Sequence, residues 1–382
     1  ILALRGEKAV LLGYPNFAAW QTHDRMIGNP QAAQELLMDT WRRLLPVTER
    51  QIAELTELAG DELGGDSLQP WDLEYYQARA RARDFAVDMD DLRQYFALEN
   101  VVEAMFWSAG ELYGLRFQER DDIPVVHSTV RVFDVSRAGE TLGAIYLDLF
   151  AREGKGPSSW SSQYRSYADF NADDEAIERQ TQLPLVALHS AVTPSGNGGT
   201  VYVPWERANV IFHEFGHTLQ TLQNRAPYPS IGPLALPWDF IEAPSLLHER
   251  WFMDRDLLKR FMVNADGVAI PDSVIDRLEA SLRAERPIML TLNFLASALV
   301  DIHLHTLADG RLMDVVSEEA SFLNALGLPQ AVDASMYAAH AFHTFSEQYA
   351  AGLYTYLWSN VIAADAAQAF HDAPDGLWDV SV

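Results

Sequence analysis

Residues 204–219 read PWERANVIFHEFGHTL, and this stretch decides both the fold and the chemistry. Pro204 suits the first turn of a helix, and Ile211, Phe212, Phe215 and Leu219 give that helix an apolar side. His213 and His217 then stand one turn apart on a shared face, where both imidazoles can reach one metal ion. Glu214 follows the first histidine and leans toward the same space, placed to take a proton from a water. That is the arrangement a zinc hydrolase needs. In a chain with 11 histidines, a chance match to His-Glu-x-x-His has a probability on the order of a few per cent. Gly216 costs the helix about 1 kcal/mol relative to alanine, so its presence predicts a close approach to the helix backbone.

Such a site requires a third protein ligand and an open fourth position. Downstream, residues 238–251 read WDFIEAPSLLHERW. On a second helix Asp239, Glu242 and Glu249 would form an acidic stripe. Glu242 is the candidate third ligand, with Asp239 and Glu249 as acceptors for histidine ring N–H groups. A simply solvated acidic face fits the same spacing equally well. His248 points off the stripe and is a weaker ligand candidate.

HEFGH followed by DFIEAPSLLHERW resembles the thimet oligopeptidase family of zinc metallopeptidases, whose pattern is HEFGHxxH and then DFxExPSQxxExW. The resemblance implies one zinc ion, Zn2+, held by His213, His217 and Glu242, with Glu214 as general base. Gln220 and Leu246 depart from the family's histidine and glutamine, and neither is a ligand position. A second block, HTFSEQYAAGLYTYLW at 343–358, is similar to the family's HxFxGGYxAGYYxYxW. Read without the family, it is an aromatic run of the kind found in helix cores, with hydroxyl and imidazole tips as its chemistry. The resemblance implies that His343 and Tyr356 bind substrate and steady the oxyanion, and that Tyr349 is a further substrate contact. Glu347 and Gln348 replace paired glycines, and Leu353 replaces a tyrosine, departures that bear on substrate preference. His340 is a lesser candidate than His343. His303 and His305, two apart, read as surface or packing residues.

Segments at 4–14, 68–76 and 130–156 are also similar to the family, so the resemblance covers nearly the whole chain. It implies a mainly α fold, a helical zincin-type catalytic region with a small β-sheet beside the HExxH helix. Against the family's pattern the chain reads as truncated at both ends, its N-terminal and C-terminal portions missing. The expected organisation is a helical subdomain at 1–125, a small β-rich segment at 126–203, and a helical zinc- and substrate-binding part at 204–382. Periodicity predicts helices at 30–60, 73–83, 89–114, 204–224, 239–263, 271–308, 315–325 and 330–369, with Pro287 breaking or kinking the sixth. Strands are expected at 130–135 and 142–149, as a hairpin turning at 137–140, and at 185–192. The last is expected to offer an open edge to an extended peptide, followed by a Gly-rich loop at 195–199.

Composition narrows the partners. A formal net charge of −26 argues against nucleic acid and against anionic membrane surfaces. No apolar run approaches the ~18 residues of a membrane span. The absence of cysteine removes disulfides and thiolate ligands, which leaves histidine and carboxylate for any metal. The expected substrate class is short peptides, cut internally or trimmed of C-terminal dipeptides. A peptide-binding fragment with impaired catalysis is the reading from a different class. The cytoplasm is the expected compartment, with the periplasm as the alternative.

Overall fold

The computed structural model describes residues 1–170, 180–196, 198–290, 294–307, 314–332, 338, 342–346 and 349–382. Helices occupy Leu2–Leu11 (α1), Phe17–Thr22 (α2), Pro30–Ala59 (α3), Pro70–Phe85 (α4), Met89–Leu92 (α5), Leu98–Tyr113 (α6) and Trp205–Gln223 (α7). The second half adds Ala243–Phe252 (α8), Arg255–Phe261 (α9), Asp272–Leu290 (α10), Ala296–Thr306 (α11), Val315–Ala325 (α12), Phe342–Ser346 (α13) and Tyr354–Asp372 (α14). Strands run Leu115–Arg120 (β1), Arg131–Arg137 (β2), Glu140–Phe150 (β3), Trp160–Arg165 (β4), Ala168–Phe170 (β5), Gln180–Gln182 (β6) and Leu185–Val192 (β7). The fold is mainly α with a small mixed sheet, as the resemblance implies.

The chain divides into two compact units. The first comprises 1–88, 237–239 and 276–358. Its longest helix, α3, starts where the Asn29 side chain accepts from the Ala32 N–H at 2.9 Å, with Pro30 in the first turn. Ala33, Leu37 and Trp41, spaced by four, form a buried stripe against Leu295, Leu299 and Ile302.

The second unit comprises 89–236, 240–275 and 359–382. Its five-stranded sheet has the order β1-β2-β3-β7-β4. β2 and β3 form the expected hairpin, turning through Ala138 and Gly139 at positive φ. β7 runs parallel to β3 and antiparallel to β4. It is therefore an interior strand, and the open edge expected of residues 185–192 belongs instead to β4. α7 lies across β7, β4 and β3. Phe215 packs against Phe106 and Phe117, which themselves stack 4.0 Å apart. Phe215 is fully buried, which contributes about 1.5–3 kcal/mol.

Three expected helices are broken, each for an identifiable reason. The 89–114 segment stops before α6 because Phe96 and Leu98 pair their backbones with Val203 and Val201. The 239–263 segment splits into a 3₁₀ turn at Trp238–Phe240, then α8 and α9. Pro244 fits only a first turn, and Asp254 caps a new start by accepting from the Leu257 N–H at 3.0 Å. The 330–369 segment is interrupted at Ala351, whose φ of 53° is left-handed. The backbone of α10 runs through Pro287 to Leu290, rather than breaking there, and α11 begins at Ala296. Among the described residues no helix is long and apolar enough to cross a membrane.

Candidate metal centre

α7 buries Ile211, Phe212, Phe215, Leu219 and Leu222 against its own unit and leaves His213 and His217 on a half-open side. Their side chains are 15% and 17% exposed, enough to admit a ligand from solvent. The partner element comes close because residue 216 is glycine. A Cβ there would lie 2.6 Å from Ser245 Cα and 3.0 Å from the Pro244 carbonyl oxygen. This is the close approach that Gly216 predicts, and it sets α8 directly against the motif.

Glu242 immediately precedes α8 and is almost fully buried. Its Oε2 stands 3.1 Å from Nε2 of His213 and 3.1 Å from Nε2 of His217. Two donors on one tetrahedral zinc lie about 3.3–3.4 Å apart, so these separations suit one small cation. The Ser245 hydroxyl donates to the same Oε2 at 3.1 Å and to the Glu242 carbonyl at 2.9 Å. Among the described residues, His213, His217 and Glu242 are the group able to hold a metal.

The surroundings orient this set. Nδ1 of His213 meets Oε1 of Glu249 at 2.7 Å, and Asn209 donates to the other carboxylate oxygen at 3.0 Å. The His213 Nδ1 proton is thereby committed, and Nε2 is left for a metal. Burial works against charge on His213, but hydrogen bonds to Glu242 and Glu249 outweigh it and push its pKa up to about 10. Burial would likewise raise Glu242, yet the charge of His217 and hydrogen bonds from both histidines hold it well below the usual carboxylate range. A proton and a cation would compete for this place. Glu214 is buried on the same helix, and burial raises its pKa while the two histidines pull it down. A carboxyl raised in this way is a stronger base, as proton transfer from a water requires.

His248 is no ligand in this arrangement. It is fully buried among Phe212, Phe215 and Trp251, and desolvation lowers its pKa to about 3. Nor do Asp239, Glu242 and Glu249 share one continuous helix. Asp239 belongs to the first unit, where it accepts from the Met26 and Ile27 N–H groups at 3.0 Å and from the Tyr354 hydroxyl at 3.1 Å.

The pattern of Peptidase family M3 matches residues 1–376. The chain belongs to Peptidase family M3, the thimet oligopeptidase family. Dipeptidyl carboxypeptidase of Escherichia coli (strain K12) is 31% identical over 380 residues, covering 97% of this chain and 54% of its own length. Oligopeptidase A of the same organism is 30% identical over 380 residues, with the same two coverages. Saccharolysin of Saccharomyces cerevisiae is 27% identical over 382 residues, or 95% of this chain and 52% of its own length. The chain thus spans about half the length of the curated relatives it matches.

Membership in family M3 gives the aromatic block a context that its sequence alone lacks. His343, Tyr349 and Tyr356 stand in one column in the first unit. The His343 ring stacks on Tyr349 at 4.7 Å, and Tyr349 stacks on Tyr356 at 5.3 Å. Nε2 of His343 lies 3.3 Å from the Tyr356 hydroxyl. Tyr349, the middle ring, is buried, whereas its two neighbours are half-buried. Leu353 is buried and turned into the core. Glu347, Gln348 and His340 lie outside the described residues, as does Asn197 of the Gly-rich loop. His303 stacks on Phe322 at 4.0 Å, in keeping with a packing role. His305 is different: it is buried and bonded to Asp301 and Arg5, a link that spacing did not reveal. The available signal was a charged residue, Asp301, in the otherwise apolar run ASALVDIHL, since a buried charge must find donors.

Proposed function

We propose that this chain hydrolyses peptide bonds in short peptides with one zinc ion held by His213, His217 and Glu242. The observation that carries this reading is the convergence of three ligand atoms, two of them imidazole nitrogens 3.1 Å from one carboxylate oxygen, in a member of a peptidase family. The donor set of two neutral imidazoles and a carboxylate is one that zinc favours in catalytic sites. Zinc there would supply Lewis acidity, polarising a peptide carbonyl and acidifying a water toward a pKa of about 7.

The remaining work falls to side chains. Glu214 accepts the proton of the attacking water and passes it to the leaving amine. Glu249 holds His213 in the tautomer that offers Nε2. Tyr356, with His343 beside its hydroxyl, donates to the oxyanion of the tetrahedral intermediate, a role whose loss typically costs about 100- to 1000-fold. Tyr349 supports substrate from the same column. An extended peptide laid along the outer edge of β4 would be held through its backbone, which suits broad sequence tolerance.

The test is hydrolysis of an internally quenched oligopeptide blocked at its C-terminus, first with zinc and then after chelation. Zinc-dependent cleavage is expected. Absence of cleavage in a folded sample shown to contain zinc would overturn the endopeptidase reading. A peptidyl-dipeptidase is the second reading, because a relative named for that activity matches over the same span as oligopeptidase A. It requires that a free C-terminal carboxylate be cleaved and its amide refused.

A further inference from the structure

Asp301 is a carboxylate buried in the middle of α11, and its acceptors are taken by one stretch of backbone. Its Oδ1 accepts from the Ala351 N–H at 2.9 Å, and its Oδ2 from Gly352 at 2.8 Å and Leu353 at 3.1 Å. These N–H groups lie immediately before α14, where a helix leaves its first donors without internal partners. Asp301 therefore caps α14 from another helix, across a separation of 50 residues for the Ala351 contact.

The cap is itself braced. Nδ1 of His305 lies 2.8 Å from the Asp301 main-chain carbonyl and 3.0 Å from its Oδ1, and Arg5 of α1 meets Nε2 of His305 at 2.8 Å. The same guanidinium donates to the Thr344 carbonyl at 2.6 Å and the Phe345 carbonyl at 3.3 Å, in the short helix that carries His343. One continuous network thus grips both ends of the aromatic column, at His343 through Arg5 and at Tyr356 through Asp301. Gly352 completes it. A Cβ there would displace an Arg25 guanidinium nitrogen 2.5 Å away and crowd the Tyr349 carbonyl oxygen at 3.1 Å, so the segment packs closely on its neighbours here.

We propose that Asp301, braced by His305 and Arg5, is a positioning residue that sets Tyr356 and His343 at the angle their role in peptide hydrolysis requires. This rests on the reading of Tyr356 and His343 as substrate and oxyanion contacts. Asp301 touches no substrate; it acts through the backbone at 351–353. A shift of about 1 Å at a catalytic group can cost about 100-fold in rate, which sets the scale of the effect.

The test combines Asp301→Asn with Tyr356→Phe in the whole chain, alone and together. Asparagine keeps the shape but turns an N–H donor toward N–H groups. The expected result is a fall in kcat of roughly 10- to 100-fold, with KM within about threefold and bound metal unchanged. Tyr356→Phe should cost about 100-fold in the parent, and in the Asp301→Asn background that cost should shrink by about the factor that Asp301→Asn itself loses. Simple loss of stability would leave the two effects additive. Amide exchange at 351–353 and the imidazole shift of His343, both readable without turnover, should change in Asp301→Asn. If the parent chain hydrolyses no peptide, the functional reading fails, while exchange and the His343 signal still judge the positioning. Unchanged exchange and an unmoved His343, or loosened amides with full kcat, would overturn the inference. Should Asp301→Asn not fold, Arg5→Lys serves in its place: the same non-additivity at about three- to tenfold supports the proposal, and additivity overturns it.

Discussion

In the sheet of the second unit, Asp148 lies buried against Lys155 at 2.9 Å and a bidentate Arg152 at 2.5 and 2.9 Å, with His189 at 3.2 Å. In the same unit Glu242 lies equally buried against two histidines. Burial opposes the charge of both carboxylates, and nearby donors overcome it in both. The Asp148 carboxyl falls to about 2 through Arg152 and Lys155, and the neighbouring His189 is pushed down by burial. Beside Glu242 the opposite holds, and His213 rises to about 10. The first carboxylate is balanced by permanent cations. The second faces groups whose charge is conditional, and a divalent ion can take the place of that proton. What distinguishes a structural ion cluster from a metal centre here is the kind of cation on offer, not the depth of the carboxylate.

Four measurements can break or sharpen this contrast. The largest effect is expected from Glu214→Gln, which should retain metal by elemental analysis while turnover falls by about 100- to 10,000-fold. Retained activity would remove Glu214 from the mechanism. Next, Glu242→Gln should abolish metal retention yet cost the metal-free chain only about 1 kcal/mol, because His213 releases its proton. Asp148→Asn strands a buried Lys155 and should cost about 3–5 kcal/mol in chemical denaturation. Equal losses would erase the distinction. Third, Glu249→Ala frees the His213 ring and should weaken metal binding by about 10- to 100-fold in competition with a chelator.

The smallest effect is in pH. His213 is raised above its unfolded value, so its contribution to the metal-free fold is full below about pH 6.5 and is lost as pH rises through about 10. Asp148 is lowered, so its contribution is full above about pH 4 and is lost as pH falls toward 2. Melting temperature of the chelated protein should therefore decline at both ends, with Glu242→Gln flattening the alkaline limb and also removing its own share of the acid limb. Metal affinity should rise with pH across that limb, with proton release visible in buffers of different ionisation enthalpy. An alkaline limb that survives Glu242→Gln would show that His213 is not its source.

The sequence was most legible where one local rule governs. The 315–325 helix and the 185–192 strand appear with those bounds, because periodicity and flanking breakers agree there. Gly216 announced a contact that the structure supplies in Ser245. Legibility failed where distant backbone competes. Residues 96–98 pair with 201–203 instead of continuing a helix, and α1 and α2 were not expected at all. The edge position of β4 is a property of sheet order, which no strand carries in its own residues. At the candidate site, His213, His217 and Glu242 were named from a motif, whereas Asp301 was not, since its partners lie some 50 residues on.

The Arg5–His305 bond joins residues 300 positions apart, and the first unit is assembled from 1–88, 237–239 and 276–358. On a ribosome adding about 5–20 residues per second, α1 and α3 would wait roughly 15 to 60 s for the strands of chain they pack against. During that interval the apolar stripe of Ala33, Leu37 and Trp41 lacks the cover of α11, while the sheet and α7 of the second unit already have their sequence. Nascent chains of this protein should therefore engage holding chaperones through residues 1–88, and release them only after α11 has emerged.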